Sequence, residues 1–374
     1  MRLMPPFARA QNVLRRDRKY GDIGLELSLE ELHMVQLRRN GEGLEVNAHA
    51  AVPYPIDAAA LLDDPRQFAQ LVKRGLKQGK FVGRQVVAAM PASSTQVMPV
   101  SYQSAGEQGD DAAIAQLMRE RIGDGISEFV IDYMPVQTLY KGREKLALVA
   151  ICREETVVSF LELLRKSGLS VSALEIGPIA IRRLIASVQA LAPPQNTLVV
   201  NCGRDKSYLT LMSDNRLLAD DEVDFGEDTV LEKISNALDM PRELAIDLVR
   251  KVNLDPAVTE PDPELARNAD ALTEIVKPEL GRLVQEIQRG LVFAASESRG
   301  TRANQVYLLG SMARWPGTAE LLASLADTPV ATVPSPLTLF PPAHGERTEG
   351  PAPELAVATG LALRAFMDLF IDHD

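Results

Sequence analysis

The sequence predicts an α/β fold of two lobes, and three observations carry that reading. The order three strands, helix, strand, helix, strand, helix is written twice, once on each side of Pro193-Pro194. The first copy is interrupted by residues 90–172, which have a strand and helix pattern of their own. A chain of 374 residues, 46% hydrophobic and 24% charged, can bury the core of both lobes.

The first copy opens on an antiparallel meander from Gly21 to Pro55. Apolar residues alternate at Ile23, Leu25 and Leu27, loosely at Leu32, Met34 and Val35, and again at Leu44, Val46 and Ala48. Asn40-Gly41 supplies the tight turn between the second and third strands. Leu61, Phe68, Leu71, Val72 and Leu76 then recur at helical spacing, which predicts one helix over Ala58 to Gly79. A strand follows at Gln85 to Ala89. Within 90–172 the pattern gives strands at Val97 to Tyr102, Val130 to Tyr140 and Leu146 to Cys152. Helices are predicted there at Asp111 to Ile122 and Glu155 to Ser167. Strand Val171 to Ile176 and helix Pro178 to Ala190 complete the first copy.

The second copy has strands at Thr197 to Cys202, Ser207 to Ser213 and Arg216 to Asp224, and a helix at Thr229 to Leu238. A charged, Pro-rich excursion at 241–271 precedes a long helix, Pro278 to Ser298, whose face is Leu280, Leu283, Val284, Ile287, Leu291 and Val292. Strand Val306 to Leu309, helix Gly317 to Leu325, strand Val330 to Val333 and a closing helix, Pro353 to Phe366, end the chain. The domains expected are a first lobe of 21–89 plus 173–192, an inserted α+β unit of 90–172, and a second lobe of 197–374. Doubled in this way, the order means an actin-like, ribonuclease-H-like bilobal fold with a ligand cleft between the lobes.

Charge and composition exclude several classes. A net charge of −11 argues against a nucleic-acid binder. No apolar run reaches the roughly 18 residues of a membrane span, and no secretory signal pattern opens the chain, so the expected location is the cytoplasm. Cys152 and Cys202 sit in apolar strand patterns without metal spacing and read as buried thiols. Residues 1–20 stand apart: six Lys/Arg against one Asp give +5 there, leaving −16 for the rest. A helix over 7–16 would set Phe7, Ala10 and Leu14 opposite Arg9, Arg15 and Arg16, a weak membrane-surface signature in an otherwise flexible basic segment.

Five stretches carry a family resemblance: IGLELSLEELHMVQL, VVNCGRDKSYLTLMSDNRLL with the following Asp224-Phe225-Gly226, LVQEIQRGLVF, LLGSMARWPGT and PELAVATGLALRAF. With ICREETVVSFLELLRKSGL inside the insertion, the chain resembles, over about residues 20–370, the PilM family of actin-like type IV pilus assembly proteins. FtsA is a more distant relative. The resemblance implies a nucleotide cleft built from two phosphate loops and an adenosine turn.

Against the family frame, each of those three elements departs. In the first loop Glu26 stands for an Asp, Ser28 for a Gly, Leu29, Glu30 and Glu31 for hydroxyl residues, and His33 for a Lys. Two carboxylates beside a triphosphate repel it by about 4 kcal/mol per charge pair at about 4 Å and an effective dielectric of about 20. A rival register on Asp22-Ile23-Gly24 would need the charged RRDRKY as its strand. The second loop carries Asn201 for an Asp, keeps Gly203, and has Arg204, Asp205 and Lys206 at the hydroxyl positions. The adenosine turn's three glycines become Gly310, Ser311 and Met312, whose side chain either blocks the nucleobase or packs in the core.

These departures lead to the expectation of a scaffold that does not turn over ATP, with no cofactor and no metal. Its expected partner, implied by the resemblance, is the cytoplasmic tail of a PilN-like inner-membrane protein, held in a groove near Gln85 to Ser94 and the inserted strands. The protein would then be cytoplasmic and peripheral to the inner membrane, with residues 1–20 adding a weak surface contact. Opposite charges suggest cross-cleft pairs of Glu30 or Glu31 with Arg204 or Lys206. The alternative is an active actin-like ATPase holding ATP and Mg²⁺, with room for a homo-oligomer or filament.

Overall fold

The computed structural model describes residues 19–28, 31–41, 43–103, 109–136, 144–188, 196–213, 216–258, 262–297, 305–333, 335–342 and 352–369. The basic segment up to residue 18, and Leu29 and Glu30, lie outside the described residues.

Strands β1 (Ile23–Leu27), β2 (Glu31–Asn40) and β3 (Gly43–Pro53) form the antiparallel meander. The single helix expected over 58–79 is two, α1 (Ala58–Leu62) and α2 (Pro65–Gly79). The break lies at Asp63-Asp64, where the Asp64 carboxylate accepts the Arg66 and Gln67 N–H groups and Pro65 takes the first helical position. Strand β4 (Gln85–Ala89) then runs parallel to β1.

The insertion follows as β5 (Gln96–Gln103), α3 (Gly109–Ile122), β6 (Phe129–Val136) and β7 (Glu144–Arg153). Its three strands pair antiparallel in the order β5-β7-β6, in a sheet separate from the lobe sheets. One face closes over α3 through Ile114, Met118, Ile131 and Val149. The other contributes Val136 and Leu148 to the large core it shares with the second lobe.

Helix α4 (Glu154–Lys166), counted with the insertion in the sequence reading, packs elsewhere. Its Phe160, Leu163 and Leu164 are buried in one cluster with Ile23, Phe68 and Val86. It is the crossover between β4 and β8 (Ser170–Glu175), a parallel pair that cannot be joined by a short turn. The insertion's own fold therefore ends at β7. Helix α5 (Gly177–Val188) completes the first lobe, whose sheet order is β3-β2-β1-β4-β8.

The second lobe repeats this order as β11-β10-β9-β12-β13. Its elements are β9 (Asn196–Cys202), β10 (Ser207–Ser213), β11 (Arg216–Val223), α6 (Glu227–Leu238), α7 (Arg242–Lys251), α8 (Pro263–Glu297), β12 (Gln305–Gly310), α9 (Thr318–Ala326), β13 (Val330–Thr332), α10 (Pro336–Leu339) and α11 (Ala356–Ala362). The excursion expected at 241–271 is mostly helical, and the long helix begins at Pro263 rather than Pro278. Pro278 sits inside it, at a cost of about 3 kcal/mol for an interior proline. Burial of Leu272, Val276, Leu280 and Leu283 on the same face offsets that cost.

The closing segment returns to the first lobe, as a helix with 3-10 turns at both ends. Its backbone lies so close to β1 that a β-carbon on Gly24 would collide with the Ala358 carbonyl; Gly360 meets Ala180 in the same way. A buried ion cluster fastens it. Arg183 pairs in bidentate fashion with Glu175 at 3.0 and 3.1 Å and donates to the Gly360 carbonyl at 2.6 Å, and Arg364 also reaches Glu175.

Candidate functional site

Strands β1, β2, β9, β10 and β12 point their ends at a cleft of about 1290 Å³ between the lobes, which runs on beneath the insertion. Glu26, Ser28, His33, Asn201, Gly203, Arg204, Gly310 and Ser311 all line it. Met312 does not: its side chain is wholly buried in the core. Glu30 lies outside the described residues. Because β1 begins at Ile23, the turn after it starts at Ser28, which excludes the register built on Asp22. Asp22 is instead buried at the far end of the strand, accepting from Ser172 Oγ at 2.6 Å.

The turn after β1 closes on itself. Ser28 N–H donates to the Glu31 carbonyl at 3.0 Å, and Glu31 N–H to Ser28 Oγ at 3.2 Å. The backbone donors of Ser28 and Glu31, of the kind that can cradle a phosphate, are thus engaged within the turn. Glu26 and His33 are cross-strand partners in the β1–β2 ladder. His33 is 3% exposed, with Nδ1 3.3 Å from Glu26 Oε2 and Nε2 3.2 Å from Glu31 Oε2. Both nitrogens face carboxylate acceptors, so the ring must donate from both and carries a proton. Burial pushes its pKa down, and the hydrogen bonds and charges of Glu26 and Glu31 outweigh that, raising it to about 9. The hydrogen bond from His33 in turn lowers the Glu31 pKa, against burial, with Arg314 helping. Tyr54 donates to the Ser28 carbonyl at 2.7 Å; burial and the two carboxylates hold its phenol well above the ordinary range.

Across the cleft, Arg314 Nη2 lies 3.5 Å from Glu31 Oε2 and Arg314 Nε 3.7 Å from Glu354 Oε2. Glu354 precedes α11, so Arg314 stands between two carboxylates associated with the first lobe. For Glu31 this corrects the pairing expected from sequence, while the pairing expected of Glu30 lies outside the described residues. Arg204 binds Asp228 at 2.9 Å and Lys206 binds Glu222, both within the second lobe. The β9–β10 turn folds back onto the start of α6: Gly203 N–H donates to the Lys206 carbonyl, while the Glu227 and Asp228 N–H groups donate to the Gly203 and Arg204 carbonyls. Sequence reasoning missed Arg314; the one available signal is that it is the one Lys or Arg between Arg302 and Arg347, inside LLGSMARWPGT.

The turn that follows β12 is tight. Gly310 has φ +82° against the Cys202 carbonyl, and Ser311 Oγ donates to that same carbonyl at 3.3 Å. On the lobe-two wall, Asp220 accepts from Thr210 Oγ1 at 2.6 Å, and burial raises its carboxyl to about 7. The thiols of Cys152 and Cys202 are free and buried. Among the described residues no group of His, Cys, Asp and Glu has the arrangement of a metal site, and no helix is long and apolar enough to cross a membrane.

The family model described as type IV pilus assembly protein PilM matches residues 24–366. A PilM–PilN type IV pilus biogenesis complex is similar in structure, with a TM-score of 0.73 at 23% identity over 93% of this chain and 99% of that one. The ethanolamine utilization protein EutJ from Carboxydothermus hydrogenoformans is similar with a TM-score of 0.52 at 14% identity, over 96% of this chain and 92% of that one. The fold is actin-like, with the two lobes and the cleft that the doubled order predicts.

Proposed function

The chain belongs to the PilM family of type IV pilus assembly proteins, and from that premise we propose that it is a nucleotide-independent scaffold for a pilus or related inner-membrane assembly. One observation carries the proposal: Glu31, where the phosphate loop would stand, is already held by His33 from its own lobe and Arg314 from the other. The groups at this end of the cleft do not fit a magnesium triphosphate. Their cations are engaged, their carboxylates repel it, and the Ser28 and Glu31 N–H groups are bonded within the turn.

The ligand in this reading is the cytoplasmic tail of a PilN-like bitopic membrane protein. The similar structure of a PilM–PilN type IV pilus biogenesis complex supports a PilN-like partner. The continuation of the cleft beneath the insertion suits a short peptide: Phe129, Phe160 and Leu62 offer apolar wall, and Asp57, Asp63 and Glu155 an acidic rim. The protein would work on the cytoplasmic side, held to the inner membrane by that tail, with residues 1–20 adding a weak contact. The test is fluorescence anisotropy with a labelled tail peptide and nucleotide-free protein. Saturable binding that Ser159→Trp removes is expected; a strict requirement for ATP would overturn the reading. An active ATPase is the second reading, favoured by the retained Gly203, Gly226 and Gly310.

A further inference from the structure

From Pro65 to Gly106 the chain has six Lys/Arg and no acid, in a protein of net charge −11. Helix α2 buries Phe68, Leu71 and Val72 and leaves Arg66, Lys73, Arg74 and Lys77 exposed on its outer side. Lys80 and Arg84, also exposed, follow in the turn to β4. Ser170 N–H donates to the Arg84 carbonyl at 2.9 Å, which brings that turn beside the end of α4. Exposed Arg165 and Lys166 stand there, Lys166 paired with Glu162 at 3.2 Å.

At the centre of this end lies Val82, 47% exposed between Lys80 and Arg84. Its backbone is pinned by the buried Gln36 side chain: Nε2 donates to the Val82 carbonyl at 2.8 Å, and Val82 N–H donates to Oε1 at 2.9 Å. Gln36 Nε2 also donates to the Gly21 carbonyl at 2.9 Å. Gly21, at the start of the described fold, is therefore tied through Gln36 to the Val82 turn.

We infer that this cleft-distal end of the first lobe is a docking face for an anionic lipid surface. Bases in the last turn of a helix favour its dipole, which accounts for Lys77, Arg165 and Lys166. It does not account for Lys73, Arg74 and Arg84, or for an apolar side chain held outward among them. A leaflet takes both features, an apolar tip into the interface and a basic ring over the headgroups. A nucleic-acid backbone has no use for Val82. Both helices also carry acids at the opposite end, Asp63 and Asp64 before α2 and Glu154 and Glu155 opening α4. That separation, over about 22 Å of helix, would turn the cleft away from the surface.

The test is flotation of the full chain with phosphatidylcholine vesicles, with and without phosphatidylglycerol, at low and high salt. Binding should need phosphatidylglycerol and weaken with salt. Each base near the leaflet is worth about fivefold in partitioning, so Lys73→Gln/Lys77→Gln/Arg84→Gln should lower it about a hundredfold. Val82→Asp should lower it further. Removing residues 1–18 should leave binding that the triple substitution then abolishes. All the substituted residues are exposed, so unchanged melting curves would separate docking from folding. Failure of the full chain to float with phosphatidylglycerol vesicles, wild-type flotation of the triple variant, or preferential capture of duplex DNA would each overturn the inference.

Discussion

Arg314 and His33 share one carboxylate oxygen: Glu31 Oε2 lies 3.5 Å from Arg314 Nη2 and 3.2 Å from His33 Nε2. One oxygen of the first lobe thus faces a cation from each lobe. The pair is partly solvated, with Arg314 27% and Glu31 18% exposed, so its own worth is modest. A double-mutant cycle on Arg314→Gln and Glu31→Gln should give a coupling of about 0.2–1 kcal/mol in urea unfolding. The larger effect should be geometric. Small-angle scattering of Arg314→Gln should show a wider inter-lobe angle than the parent, and superimposable curves would show that inter-lobe packing alone sets the closure.

His33 makes stability depend on pH in a defined window. Its folded pKa, about 9, lies above the ordinary value of 6.5. The stabilisation is therefore fully present below about pH 6.5 and is lost as pH rises through about 9. The difference in unfolding free energy between parent and His33→Gln should shrink by on the order of 2–3 kcal/mol across that window. A difference that stays level from pH 6 to 9 would mean the ring is neutral in the folded state.

The Glu175 cluster should be the most sensitive polar site in the molecule. Arg183→Met removes the bidentate partner of a carboxylate with no exposure and frees the Gly360 carbonyl. Loss of one member of a buried pair costs about 3–5 kcal/mol, and the damage should concentrate in α11. Hydrogen exchange should accelerate over 356–362 before the second-lobe sheet responds.

Asp220 works in the opposite sense to a stabilising charge. Burial raises its carboxyl from 3.8 to about 7, so folding favours the protonated form and a penalty grows as pH climbs from about 4 to 7. Asp220→Asn, which keeps an acceptor for Thr210, should stabilise the protein at pH 8 by on the order of 1–2 kcal/mol and have little effect at pH 4. Equal effects at both values would contradict the assignment.

Much of this was readable from the chain. Alternation at Ile23, Leu25 and Leu27, and the repeated element order, gave the lobe sheets because strand period and burial agree there. The helix over Pro263–Glu297 was read short, because an interior proline signals a boundary locally while burial of Val276 and Leu280 overrides it. Helix α4 was misplaced because its apolar face is equally suited to either neighbour, and only the β4–β8 crossover decides. In the cleft, lining residues such as Glu26, Ser28, His33 and Asn201 were identifiable one by one. Their partners were not, since Glu31 and Arg314 are 283 positions apart, and charge sign alone made Arg204 and Lys206 look equally suitable.

The central claim is that side chains, not nucleotide, bridge this cleft, and calorimetric titration with ATP·Mg²⁺ tests it most directly. The account predicts no saturable heat below about 1 mM, the affinity equivalent of about −4 kcal/mol, and tail-peptide binding that ATP leaves unchanged. Micromolar binding, with hydrolysis abolished by Asn201→Ala, would contradict it.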